Sequence, residues 1–359
     1  MIPPAPSPDA APISGMAAVR RTMHSPQTTL EFDDRFAETA SVMTESVPEQ
    51  WVRRLTRTQW AVVAWLGFVG VFVWRYGIPS STTKLFIVLG TGLLATSAGN
   101  PRSWAGVVRD WLPLFVLLTV YNALRAHAND WNTVHFLPQI HVDRWLFGGA
   151  VPTIRLQHLL FTPGRPHWYD YGVFLVYMSH FFASLIIAAY LWRYSHERFK
   201  RFAFLFVTLT FLGFATYALY PAAPPWLASQ TVHGIGPTAK IIDEMWVHIG
   251  LRSGASVFSG TSHLANPVAA VPSLHSAYPM LIVLFFWKSV GKWRWLLALY
   301  PIAMGFTLVY AAEHYVFDVL LGWIYAAVVY FVGSWIYEKY RAWRAERAEV
   351  PAEAVVLTA

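Results

Sequence analysis

Eight apolar runs are spaced along the chain: Gln59–Tyr76, Leu85–Ala98, Val107–Leu124, Tyr171–Trp192, Phe202–Tyr220, His275–Trp287, Trp295–Ala312 and Phe317–Tyr337. A bilayer-crossing helix needs roughly 20 apolar residues, fewer when it is buried in a bundle. The pattern therefore predicts an all-α polytopic membrane protein of about eight spans, among which Leu85–Ala98 is short. No internal repeat is visible. Two stretches between the runs are long. Arg125 to Asp170 mixes Trp, Phe and Leu with polar residues around Val142-Asp143-Arg144-Trp145-Leu146-Phe147. That mixture predicts amphipathic helices lying along the membrane surface. Pro221 to Val271 is rich in Pro, Gly, Ser and Ala, yet carries Trp226, Met245, Trp246 and Phe258. The bulky residues favour an ordered cap; a flexible linker is the alternative.

Composition supports the membrane reading. The chain is 55% hydrophobic and 13% charged, with a mean hydropathy of +0.39. A soluble domain of this length could not hide that much apolar surface. Eighteen Trp and seventeen Tyr suit aromatic belts at the two interfaces. There is no cysteine, which excludes disulfides, thiolate nucleophiles and cysteine-bound metal. The first ~30 residues lack the apolar stretch of a signal peptide. Residues 1–50 are expected to be a disordered cytoplasmic tail, 51–338 the membrane domain and 339–359 a second cytoplasmic tail.

The net charge of +7 does not read as a nucleic-acid surface, because basic residues in membrane proteins usually encode orientation. With a cytoplasmic N-terminus and eight spans, six basic residues precede the first span on the inside. Arg102, Arg109, Arg193, Arg198, Lys200 and Arg201 join them, as do Lys288, Lys292, Arg294, Lys339, Arg341, Arg344 and Arg347. That is nineteen of the 27 Lys and Arg. The bias predicts both termini inside, and it puts His275 and His314 at the outer face of a bacterial-type plasma membrane.

Those two histidines carry the candidate chemistry. Pro272-Ser273-Leu274-His275 opens one run, and Glu313-His314-Tyr315-Val316-Phe317-Asp318 follows the next. If the two runs form a hairpin, both motifs lie at one membrane depth. His314 and Asp318 are four apart and share a helix face. A carboxylate that holds one imidazole nitrogen frees the other as a nucleophile. His275, from a different element, can sit across the phosphorus and protonate the leaving oxygen. Ser273 and Leu274 stand where a helix starts, where amide groups attract phosphate oxygens. The set points to phosphoryl transfer through a histidine. Taken singly, each residue also has an ordinary reading: an interfacial histidine is often only a hydrogen-bonded surface group, and Asp318 could serve the helix dipole.

Other constellations are weaker. His135, His141, Asp143, His233, His248 and His263 fall on the outer side but lack a tight ligand spacing such as His-Glu-x-x-His. No metal site and no cofactor is expected. His180 lies mid-span beside Ser179, where it is either functional or a hydrogen-bonding partner for a neighbouring helix. Asp110 and Arg109 read as snorkelling residues at the cytoplasmic interface.

The motifs resemble the type 2 phosphatidic acid phosphatase superfamily, whose later signatures are a Pro-Ser-x-His turn and a His-x-x-x-Asp motif. The resemblance implies that His314 forms a phosphohistidine, that Asp318 orients it, and that His275 acts as acid and then base. Tyr220-Pro221-Ala222-Ala223-Pro224-Pro225-Trp226, with Val271 to Ser276 and His314-Tyr315 before Asp318, looks like the fungal inositol phosphorylceramide synthase branch. The resemblance covers about Asp110 to Tyr337. It departs from the wider family in two places. Leu308 stands where the family has an Arg six residues before the nucleophile, and His158 stands where the Lys of the Lys–six residues–Arg-Pro motif would be, ahead of Arg165-Pro166. Other cations must then meet the phosphate; Arg125, Arg144, Arg155, Arg165, Lys240 and Arg252 have suitable topology. Arg144, Lys240 and Arg252, with Pro224 and Trp226, are the substrate-side candidates.

These readings combine into a membrane lipid phosphotransferase. It would move a phosphoryl-linked headgroup, inositol phosphate being one such group, from a phospholipid to a lipid or sugar alcohol. Membrane lipids are then both donor and acceptor, and no nucleic acid is involved. The alternative is a lipid or polyprenyl phosphate phosphatase. A catalytically silent lipid-binding scaffold is a third reading, against which the complete triad argues. Oligomeric state is not legible.

Overall fold

Apolar helices long enough to span a bilayer satisfy every backbone polar group internally, and that constraint shapes the fold. The computed structural model describes residues 49–76, 82–98, 101–127, 132–231, 235–250 and 266–349. The tails Met1–Pro48 and Val350–Ala359, together with His233, Arg252, Phe258 and His263, lie outside the described residues. A compact unit begins at Thr56, inside the first helix.

The described residues are helical and contain no strand. In chain order the helices are α1 Glu49–Tyr76, α2 Thr82–Thr96, α3 Pro101–Ala126, α4 Leu137–Leu146, α5 Pro152–Leu160, α6 Trp168–Tyr194, α7 His196–Leu219, α8 Pro225–Thr231, α9 Ile241–His248, α10 Leu274–Phe286, α11 Arg294–Tyr310, α12 Val316–Val328 and α13 Ser334–Glu349. Each of the eight apolar runs falls on a helix. Five stretches are long and apolar enough to cross a membrane: Arg57–Tyr76, Trp104–Leu124, Trp168–Tyr194, His196–Leu219 and Val316–Arg347. The cores of α2 and α10 are shorter apolar helices. The last apolar helix runs further than the hydrophobic pattern alone indicates. A π-helical turn, Val329–Gly333, joins α12 to α13, which continues into the charged segment up to Glu349. Apolar periodicity marks where a helix is greasy, not where its hydrogen bonding stops.

The core is built from α6, α7, α10, α11 and α12, with α10 packed against both α11 and α12. Fully buried Phe202, Leu205, Leu209 and Leu281 centre one apolar cluster, and Met304, Leu308 and Tyr310 a second. α3 leans on α7, and α2 on α3. α1 is tied to α2 where Trp65 Nε1 donates to the Val88 carbonyl at 3.0 Å. Most of Arg57–Tyr76 stays exposed, with Trp60, Val63, Leu66 and Trp74 facing outward, as a lipid-facing helix requires. The short helices α4 and α5 occupy the predicted interfacial segment. α8 and α9 give the described part of the Pro221–Val271 segment ordered structure, with Met245 and Trp246 buried against Phe174 and the α11 cluster.

Small residues allow the closest approaches, as in other helix bundles in membranes. A Cβ at Gly322 would lie 2.3 Å from the Ser273 carbonyl oxygen and 2.4 Å from Ser276 Oγ. Gly322→Ala should therefore push α12 away from the start of α10, costing about 1–3 kcal/mol and most of the activity. Gly172→Ala, where a Cβ meets nothing within 4 Å, should be neutral or slightly stabilising. Thermal unfolding in detergent and turnover of both variants would check this; equal melting temperatures would contradict it.

Candidate active site

Two helix starts and one helix end converge. α10 begins at Ser273, whose side chain accepts from the Ser276 amide at 3.3 Å, an N-cap that sets His275 in the first turn. α11 stops at Tyr310. The chain then turns through Ala312, whose φ of +63° is the left-handed conformation that ends many helices, more often at Gly. The amides of Glu313 and His314 both return to the Leu308 carbonyl, at 3.0 and 3.2 Å. This turn delivers His314 to the mouth of α12. Asp318 sits three residues after the Tyr315 N-cap, and its Oδ2 accepts from the Tyr315 amide at 2.9 Å.

The two starts are locked together. The Ser273 amide donates to the Asp318 carbonyl at 3.1 Å, and Ser276 Oγ donates to the Val319 carbonyl at 3.1 Å. His275 Nδ1 consequently lies 3.2 Å from His314 Nε2. His314 Nδ1 is 3.5 Å from Asp318 Oδ2, an ion-pair distance longer than a formed hydrogen bond. Asp318 is fully buried and His314 is 4% exposed, while His275 is half-buried. Burial pushes His314 down to about 3, with a backbone hydrogen bond at Ala270 pulling the other way, so its ring is neutral. If Nδ1 carries the proton toward Asp318, Nε2 bears the lone pair and His275 Nδ1 is the donor between the rings.

α6 forms the wall behind His275. The His180 ring centroid is 4.2 Å from that of His275, and Tyr177 stacks on His275 at 5.4 Å. Mid-helix His180 thus belongs to the site's surroundings. Leu308, where the wider family has an Arg, is fully buried among Met304 and Tyr310 and offers no charge.

The pattern of residues did not indicate the part played by Asp143. It is fully buried in α4, and its two oxygens accept from the Val316 and Phe317 amides at 3.1 and 3.0 Å. These amides open α12, so Asp143 caps the helix that carries Asp318. Burial raises its carboxyl to about 6, against the pull of the two amides. Sequence offered it only as a loose metal-ligand candidate, since a backbone amide 173 residues away leaves no mark in a pattern of side chains. Among the described residues, no three His, Asp or Glu are grouped so as to hold a metal ion.

The substrate-side candidates divide. Backbone pairing at His135, Ala222 and Ala269 holds the Ala-Pro-Pro-Trp segment against the approach to α10. Pro224 is buried there, and the Trp226 amide donates to the Ala312 carbonyl at 3.1 Å. Lys240 Nζ lies 4.8 Å from the centre of the Trp226 ring and 3.3 Å from Asp243 Oδ2. Trp226 and Lys240 therefore meet beside the His314 turn. Arg144 stands at the end of α4, on the helix that supplies Asp143. Arg252 is outside the described residues.

The family model described as "PAP2 superfamily" matches residues 140–332, so the chain belongs to the type 2 phosphatidic acid phosphatase superfamily. The helical membrane fold and the family match make this chain an integral membrane phosphotransferase or phosphatase. It is 32% identical over 229 residues to the phosphoinositol dihydroceramide synthase of Bacteroides thetaiotaomicron, covering 59% of this chain and 71% of that protein. It is 24% identical over 231 residues to the inositol phosphorylceramide synthase of Candida albicans, covering 61% of this chain and 46% of that protein. It is 27% identical over 285 residues to the inositol phosphorylceramide synthase catalytic subunit AUR1 of Saccharomyces cerevisiae, covering 76% of this chain and 67% of that protein. The chain thus spans less than half of the Candida relative. No solved structure matches it.

Asp143→Ala leaves two part-buried amides without their acceptor. It should lower stability by roughly 2–3 kcal/mol and cut kcat more than it changes KM. Asp143→Asn, which keeps one acceptor oxygen, should fall between that variant and wild type. Melting curves and steady-state kinetics would check both; a kcat unchanged in Asp143→Ala would contradict the positioning role.

Proposed function

We propose that the enzyme moves phosphoinositol from a glycerophospholipid to the primary hydroxyl of a ceramide-type lipid by two displacements at His314. The observation that carries the reading is the 3.2 Å contact between His275 Nδ1 and His314 Nε2, with Asp318 behind the second ring. In the first step Nε2 attacks the phosphodiester phosphorus, and the bond to the diacylglycerol oxygen breaks. His275 passes that oxygen a proton. In the second step neutral His275 takes the proton of the acceptor hydroxyl, whose oxygen attacks phosphorus and releases His314. The headgroup stays on phosphorus throughout. Attack needs the reacting atoms about 3–3.5 Å apart. The His275 ring therefore yields its place on Nε2 as substrate enters and works from the oxygen side. Asp318 stabilises the cation that His314 becomes, which matters in a site this dry.

Burial of His314 favours transfer over hydrolysis, because a closed site keeps water from the intermediate. The names of the relatives favour an inositol-bearing donor and a sphingoid acceptor. The phosphatase reading remains the second choice and differs only in the acceptor. The charge bias favours a site on the extracytoplasmic face of a bacterial-type plasma membrane, with both termini cytoplasmic and eight spans.

Product analysis by mass spectrometry tests the reaction. Wild type given phosphatidylinositol and ceramide should form diacylglycerol and inositol phosphorylceramide, and His314→Ala should lose at least about 10³-fold. Release of inositol phosphate or free phosphate without acceptor dependence would favour the phosphatase instead. The natural chain has no cysteine, so Thr162→Cys in the exposed α5–α6 loop gives a single label. An impermeant reagent should reach it in intact cells; protection would contradict an outer site.

A further inference from the structure

The residue just before His314 has no role in the displacement at phosphorus, yet the fold arranges polar groups around it. Gln157 in α5 is buried and spans two segments. Its Nε2 donates to the Ala239 and Tyr310 carbonyls, both at 2.8 Å, and its Oε1 accepts from the Ala239 amide at 2.8 Å. That clamp brings Lys240 beside the end of α11. The Trp226 amide, bonded to the Ala312 carbonyl, brings the indole to the same place. Lys240 lies over the Trp226 ring and pairs with Asp243. Burial raises the Glu313 carboxyl to about 7, and the charges of Lys240 and Asp243 also act on it, in opposite directions. Glu313 Oε1 and Asp243 Oδ1 are buried side-chain atoms with no hydrogen-bond partner among the described residues.

A structural ion pair would normally use up such acceptors, because a buried oxygen left without a donor costs stability. Among the described residues, Glu313 Oε1 and Asp243 Oδ1 each lack a donor, beside an ammonium and an indole. Hydroxyl groups on a ring match this set. Carboxylates and an ammonium exchange hydrogen bonds with neighbouring hydroxyls, and an indole face covers the C–H side of the ring. Glu313 is the residue before His314, so its backbone adjoins that of the nucleophile, consecutive Cα atoms being about 3.8 Å apart.

We infer that Glu313, Asp243, Lys240 and Trp226 form the subsite for a polyhydroxylated donor headgroup and set the enzyme's headgroup preference. This rests on the transferase reading of His314. It assigns Lys240 to the headgroup rather than to the phosphate, and gives Glu313 and Asp243 a task.

The test is competition during turnover of full-length enzyme in proteoliposomes, using whichever lipid the wild type consumes, phosphatidylinositol with ceramide or phosphatidic acid alone. Free glycerophosphoinositol should inhibit about tenfold more tightly than glycerol 3-phosphate, the equivalent of one or two hydrogen bonds to charged groups. Glu313→Gln and Asp243→Asn, both nearly isosteric, should each remove most of that preference. Equal inhibition of wild type by the two competitors overturns the subsite, as does a preference that survives in both variants. A variant that weakens both competitors equally points to a structural role and also overturns it. The wild-type comparison needs no variant to fold. Turnover of phosphatidic acid but not of phosphatidylinositol would instead count against the transferase, while the competitor preference would still judge the subsite.

Discussion

The first turn of α10 is hydrogen-bonded to the first turn of α12, and the site depends on that join. Ser273 gives its amide to the Asp318 carbonyl, and Ser276 gives its hydroxyl to Val319. Neither bond involves a reacting atom. Together they fix the height and rotation of two helices that carry His275 and Asp318. Ser273, Ser276, Asp318 and Val319 are buried, so no water takes over such bonds and giving them up is expensive. Gly322 is the sterically permissive partner of the join, since only a residue without a side chain lets the Ser273 carbonyl come so close. Asp143 fixes the same turn of α12 through the Val316 and Phe317 amides. The geometry of the proposed site is therefore held by backbone groups, and the two histidines sit on a frame already set.

That arrangement explains which features the sequence reveals. Apolar runs are long-range patterns with a simple cause, and all eight appear as helices. The Pro-Ser-x-His motif is legible because its spacing is local, an N-cap and a first turn. His314 and Asp318 do approach each other, but not on one helix face as their spacing suggests, because α12 starts only at Val316 and His314 lies in the turn before it. Nothing local marks Asp143 or Gln157. Each works by meeting backbone groups far along the chain, and in sequence each reads as an ordinary polar residue of an interfacial segment. Lys240 and Trp226 could be picked out as candidates, but not as neighbours. Their meeting depends on the Gln157 clamp and on the Trp226 amide at Ala312. The helical continuation to Glu349 was likewise hidden by charge.

The replacement of a family Arg by Leu308 changes how charge is handled near phosphorus. The position is filled by a core side chain. A diester carries less negative charge than a monoester, so a site working on diesters can do without a strong fixed cation. Neutral His314 in a dry pocket then suits attack on a singly charged phosphorus, where Coulomb repulsion is weaker. The departure thus agrees with headgroup transfer between lipids.

The most direct test is to trap the intermediate. Wild-type enzyme would be mixed with phosphatidylinositol without acceptor, quenched in alkali and mapped by peptide mass spectrometry. An acid-labile inositol-phosphoryl mass is expected on the peptide containing His314, lost when ceramide is added before the quench. The same mass on the His275 peptide, or release of diacylglycerol with no adduct when acceptor is absent, would contradict transfer through His314.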